Sequence, residues 1–214
     1  MLGVFPLFAG EGFVVNTIGS VKNAEGRKQM IEEVLSADTL RFGYSALSIV
    51  IDAKQTEPRG KMTGRSITLS PYVARDSEFI KLLAHEIGHY VDIYYLIPNG
   101  GNDLSNLFYS ISWQDKTVKK SGEGLSSFVS GYAATNQFED FAESFVFYMF
   151  HNDEFADRAL RNDSLRQKYL FFSEHVFIHR EFVGTDFRTQ TIPSYVWDTT
   201  KIPISVKKYL NSLE

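Results

Sequence analysis

Residues 85–89 read His-Glu-Ile-Gly-His, and they fall inside an apolar helical stripe made by Phe79, Ile80, Leu83, Ala84, Ile87, Tyr90, Val91 and Tyr94. The stripe predicts one long helix, capped at Asp76 or Ser77, running to about residue 97 and stopped by Pro98, Asn99, Gly100 and Gly101. Two histidines at i and i+4 on a helix are separated by about 40° of rotation and roughly 6 Å of rise, so both rings can reach one metal ion from one face. Burying two imidazoles and a carboxylate at mid-helix without such a purpose would carry a desolvation penalty. Neutral imidazoles on a borderline-soft ion point to zinc. Glu86 follows His85 directly, beside the ion, where it can take a proton from a hydrolytic water.

A zinc site that does chemistry usually has three protein ligands and one open position. A third His six residues after His89 is ruled out, because that position is Tyr95. Residues 137–150 (QFEDFAESFVFYMF) predict a second strong helix, which offers Glu139, Asp140 and Glu143. Glu139 and Glu143 are i and i+4 and share a face. Phe138, Phe141, Ala142 and Phe145 surround that face, so the acids are expected at least partly inside. One carboxylate can bind the ion while the other accepts from the far nitrogen of a ligand histidine and sets its tautomer. Glu139 is assigned as ligand and Glu143 as the orienting acid. Asp92, one turn after His89, is a further candidate for such a bond.

The remainder of the chain suits a single α+β domain of 214 residues, with the sheet and the metal helix in about 1–97 and a mainly helical part, carrying the third ligand, in about 98–214. The first ten residues are apolar, carry no Lys or Arg, and read as a strand rather than an export signal. Residues 23–36 predict an amphipathic helix capped by Asn23, with Met30, Ile31, Val34 and Leu35 on one face. Residues 46–52 suit a buried strand, 53–64 a turn region, and 65–70 a second, edge strand. Residues 98–131 read as a long polar connection with an apolar stretch around residues 107–113. Further helices are expected after Asp153, from about Asp163 to Phe182, and in the tail.

Composition excludes several classes. The charge is 22 − 26 = −4, without the basic footprint of a nucleic-acid binder. No apolar run is long enough for a membrane-spanning helix. The absence of cysteine removes disulfides, thiolate metal sites and a Cys nucleophile. There is no G-x-S-x-G elbow and no phosphate-binding glycine loop. His175 and His179 repeat the i, i+4 spacing but lack a Glu after the first His, so they read as packing residues. His151 reads as a cation favourably placed at a helix C-terminus. Gly88, which weakens its helix, is expected where another segment comes close.

The segment HEIGHYVD followed by GYAATNQFEDFAESFVFYM resembles the peptidase domain of anthrax lethal factor and the bacterial Pro-Pro endopeptidases of the same fold. The likeness covers about residues 77–150. It implies a zincin-like fold, with a small mixed sheet whose edge strand lies over the metal helix and a helical lower half. It implies a zinc endopeptidase with His85, His89 and Glu139 as ligands and Glu86 as general base. Tyr132 stands seven residues before Glu139, as a tyrosine does in that pattern, which implies a hydroxyl that stabilises the oxyanion. It further implies that an extended peptide or protein substrate pairs with the strand before the metal helix, matched here by Ser66, Ile67, Thr68, Leu69 and Ser70. Relatives in these families are exported. Two other functions share the same residues: a zinc-stabilised module that holds a peptide without cutting it, and a zinc hydrolase of a non-peptide amide. The presence of Glu86 favours hydrolysis over simple binding.

Overall fold

A computed structural model describes residues 12–37, 44, 46–97 and 103–213. The apolar start and the Pro98 to Gly101 stop lie outside the described residues. Strands β1 (Phe13–Ile18), β2 (Leu47–Asp52), β3 (Gly60–Thr63) and β4 (Ser66–Leu69) form one sheet in the order β1-β2-β4-β3. β1, β2 and β4 are parallel, and β3 runs antiparallel to β4. Alternation sets the register: Ile49 lies beside Ile67 and Ile51 beside Leu69, all fully buried on the inner face.

Two sequence expectations change here. The turn region 53–64 contains β3, which a two-residue loop with Gly64 at φ +56° folds back on β4. Residues 66–70 are therefore not an edge: β4 lies between β2 and β3, and β3 is the edge strand on the side of the helix that carries His85 and His89. The reason is local, since the Thr63-Gly64-Arg65-Ser66 hairpin adds a strand outside the one the alternation reveals.

Helix α1 (Ala24–Ser36) buries Ile31, Val34 and Leu35 as expected, but Asn23 sits at φ 56° and caps nothing with its side chain. Helix α2 (Asp76–Tyr90) starts after an extended Arg75 and continues as a wider π-helical turn (Val91–Tyr95). The described part of the 98–131 connection, residues 103–131, contains a helix and a hairpin. Asp103 accepts from the Asn106 N–H at 3.1 Å and caps α3 (Leu104–Ser112), which leads into a small hairpin of β5 (Trp113–Asp115) and β6 (Val118–Lys119). Asn136 accepts from the N–H groups of Phe138 and Glu139, both at 3.0 Å, and starts α4 (Gln137–Phe150) at the expected residue. Helices α5 (Asn152–Ala159), α6 (Asp163–Phe171) and α7 (Val206–Asn211) complete the lower half. The helix predicted from about Asp163 to Phe182 ends at Val176, after a π-helical turn, so His179 lies beyond it and shares no helix face with His175.

The molecule is thus mixed α+β, a small mixed sheet against several helices. α2 and α4 form its centre. Of the 14 residues of α4, all but Phe138 and Glu139 are buried. The two helices meet where Gly88 faces Ala142: a Cβ on Gly88 would lie 3.1 Å from the Ala142 Cα. That is the close approach the glycine predicts. Among the described residues, no helix is long and apolar enough to cross a membrane.

Candidate metal centre

The crossing of α2 and α4 determines which side chains meet. His85 and His89 stand three before and one after Gly88, and Glu139 and Glu143 stand at the same offsets from Ala142. One donor atom from each of His85, His89 and Glu139 lies within 4.8 Å of the others, so the three could hold a metal ion together. Glu139 Oε2 is 3.1 Å from His85 Nε2 and 3.5 Å from His89 Nε2. On the other side of its ring, His85 Nδ1 donates to Glu143 Oε1 at 3.2 Å. Glu143 is fully buried, and its second oxygen accepts from the Ser130 hydroxyl at 2.6 Å and the Thr199 N–H at 2.8 Å. A ligand ring pinned by a carboxylate that is itself pinned is the usual support of a metal-binding histidine.

The electrostatics fit a cation. Burial alone would lower the His85 pKa, but the Glu139 and Glu143 carboxylates outweigh it and hold it well above the ordinary histidine value. Burial alone would raise Glu139, but its bonds to His85 and His89 hold its carboxyl well below the usual carboxylate range. The cluster therefore stabilises positive charge between these side chains. Two imidazoles and one carboxylate are also the donor set of many hydrolytic zinc sites.

Glu86 is 4% exposed, and burial pushes its pKa up while the neighbouring histidines and the Met62 N–H pull it down. Strand β3 passes directly over it. A Cβ on Gly60 would collide with Glu86 Oε1 and lie 2.9 Å from Leu82 Cδ1, so any larger residue there would displace the Glu86 and Leu82 side chains. Tyr132 stacks on His85, with ring centroids 5.9 Å apart and planes 17° from parallel. Burial and the adjacent Glu139, to which its hydroxyl is hydrogen-bonded, raise its pKa. A cavity of about 300 Å³ opens beside these groups, bounded by Gly60, Leu82, His85, Glu86, Tyr132 and Trp197 among others.

Asp92 departs from its predicted role. It is fully buried, but its carboxylate accepts from the Tyr109 hydroxyl and its main-chain oxygen from the Ser105 hydroxyl at 2.8 Å, and its other carboxylate oxygen has no hydrogen-bond partner among the described residues. It influences His89 through charge and not through a hydrogen bond. Burial pushes its pKa up to about 6. Asp140, the third acid of α4, turns away to Lys168 at 2.8 Å and the Trp113 indole N–H at 2.8 Å.

Sequence reasoning misses Gly60, Ser130, Thr199 and Trp197. Gly60 was detectable, because a second glycine four residues later marks a hairpin. Ser130 and Trp197 sit in irregular segments and Thr199 opens a single 3-10 turn, so their roles depend on tertiary contact alone. Comparison with protein-family models, with curated proteins and with solved structures found no match to this chain.

Proposed function

We propose that the chain is a zinc-dependent endopeptidase of the zincin type, in keeping with its resemblance to the lethal factor peptidase domain and the Pro-Pro endopeptidases. The observation that carries this is the meeting of His85, His89 and Glu139 within 4.8 Å, with Glu86 on the same helix turned into the adjoining cavity. His85, His89 and Glu139 would hold the ion. When bound, zinc polarises a peptide carbonyl and acidifies a water beside it. Glu86 accepts the proton of the attacking water on its carboxylate and delivers it to the leaving amine nitrogen. The Tyr132 hydroxyl donates to the oxygen that gains charge as the carbonyl is attacked. Glu143 keeps the His85 proton on Nδ1, which leaves Nε2 free as a ligand.

Substrate would add as an extended strand. β3, and not the interior β4, has the edge available for this, and it passes above Glu86. The test is a peptide-library digest with zinc-loaded protein. Glu86→Gln is expected to cut turnover by at least about a thousandfold while zinc stoichiometry stays at one. Glu139→Ala is expected to lose the ion. Cleavage retained by Glu86→Gln would remove the base assignment, and unchanged zinc content in Glu139→Ala would remove the ligand assignment.

A further inference from the structure

Residues 196–202 run across one side of the cleft as a strap held at nearly every position. The Gly131 N–H donates to the Val196 carbonyl at 2.9 Å and the Tyr132 N–H to the Trp197 carbonyl at 2.7 Å. Next along the chain, Asp198 pairs with Arg59, the residue before β3, and the Thr199 N–H donates to Glu143. The Lys81 ammonium then donates to the Thr199 carbonyl at 2.8 Å and to the Ile202 carbonyl. The strap therefore touches the residue that leads into the edge strand, the metal helix, the acid behind His85 and the backbone of Tyr132.

Trp197 is the exception within it. Its neighbours Asp198 and Thr199 are anchored, yet Trp197 is 58% exposed and lines the cavity, with its ring centroid 6.3 Å from that of Tyr132. Gly131 makes room for it: a Cβ there would lie 2.6 Å from Trp197 Cε3 and would collide with the Tyr195 hydroxyl. A large apolar ring fixed by main-chain bonds and left uncovered beside reacting groups is a preformed binding surface, with little ordering left to be done on association.

The charges around it narrow the ligand. Both ends of the Arg59 guanidinium are taken, by Glu78 and Asp198. Glu86 and Glu143 line the same cavity, so an acidic side chain beside the indole would meet like charge. Lys201 is the remaining Lys or Arg among the residues that line it.

We propose that Trp197 is the specificity-determining residue of this site, and that the substrate is an extended peptide with an uncharged apolar or aromatic side chain next to the bond that is cut. This rests on the peptidase function proposed above. Two measurements test it. In the first, a library digest compares zinc-loaded wild type with Trp197→Ala. The variant is expected to keep its zinc and to lose about ten- to a hundredfold in kcat/KM for peptides with an apolar residue at the affected position, mostly through KM, with little change for the rest. In the second, zinc-loaded Glu86→Gln binds an uncleaved peptide while tryptophan emission is followed. The chain has two tryptophans, and Trp113 is 3% exposed with its indole N–H bonded to Asp140. A blue shift and loss of acrylamide quenching would therefore come from Trp197, and both are expected to vanish in Glu86→Gln/Trp197→Phe. Peptide cleavage with an unchanged library profile in Trp197→Ala overturns the proposal and leaves the peptidase function standing. So does a preference for acidic residues that disappears in Lys201→Ala. Peptides neither bound nor cut by the wild type would overturn both.

Discussion

At the end of α4, His151 is wholly buried, and neither ring nitrogen has a hydrogen-bond partner among the described residues. The sequence suggests a cationic histidine serving the helix dipole, but burial lowers its pKa well below the ordinary value, and Lys81, Arg188 and Arg158 push in the same direction against Asp186. The ring is neutral and packs 5.3 Å from Phe147. A histidine that protonates more readily unfolded than folded costs stability as pH falls below about 6.5. His151→Phe is expected to stabilise the fold by about 1 kcal/mol at neutral pH and to flatten the decline below pH 6.5. Urea unfolding of both proteins from pH 7.5 to 5 would show it, and an unchanged pH slope would mean that another group carries the acid sensitivity. Residue chemistry read from sequence fails here because helix position is visible in a sequence and burial on all sides is not.

Between elements, the contact of Gly88 with Ala142 matters most. Gly88→Ala would gain up to about 1 kcal/mol of helix propensity but would press a methyl to 3.1 Å from the Ala142 backbone, an overpacking worth about 1–3 kcal/mol. Backbone cannot swing aside as a flexible side chain can, so α2 and α4 must separate. The expected result is a net loss of about 1 kcal/mol in stability and a drop of at least tenfold in zinc affinity, read by chelator competition. Undiminished affinity would show that the donors tolerate wider spacing. The helices themselves were legible in the sequence because each repeats apolar residues at helical spacing over three or more turns, and the ligand set followed from that periodicity. α3 escaped notice because Ser105 and Ser112 occupy buried positions where an apolar residue would have revealed the stripe. β3 escaped because it is four residues long and its alternation, half-buried Gly60 and Met62 against exposed Lys61 and Thr63, shows a single strongly apolar side chain in the sequence.

Across the whole molecule, α2 and the strap are joined through Lys81, a fully buried lysine one turn before His85. Burial brings its pKa down to about 7, despite the opposing pull of Asp198, Glu143 and Glu78. A lysine with a lowered folded pKa binds fewer protons folded than unfolded, so stability should rise with pH between about 7 and 10.5, by up to about 1.4 kcal/mol per unit. Lys81→Met should abolish that slope and leave the Thr199 and Ile202 carbonyls without their ammonium donor. Turnover should then fall about tenfold or more with zinc still bound, because the strap no longer steadies Glu143 and Tyr132. A variant with wild-type turnover would reduce the strap to packing.

Residues 85 to 139 supply every proposed ligand, whereas the latch that aligns them arrives only at 196–202, after a stretch from 177 to 195 with little regular structure. On the proposed function, capture of the ion and competence to cut would therefore depend on separate parts of the chain. A single proteolytic nick in that stretch, with the latch peptide then lost, should leave a protein that still titrates with zinc but hydrolyses poorly, so metal content alone would be an unsafe assay of intact enzyme.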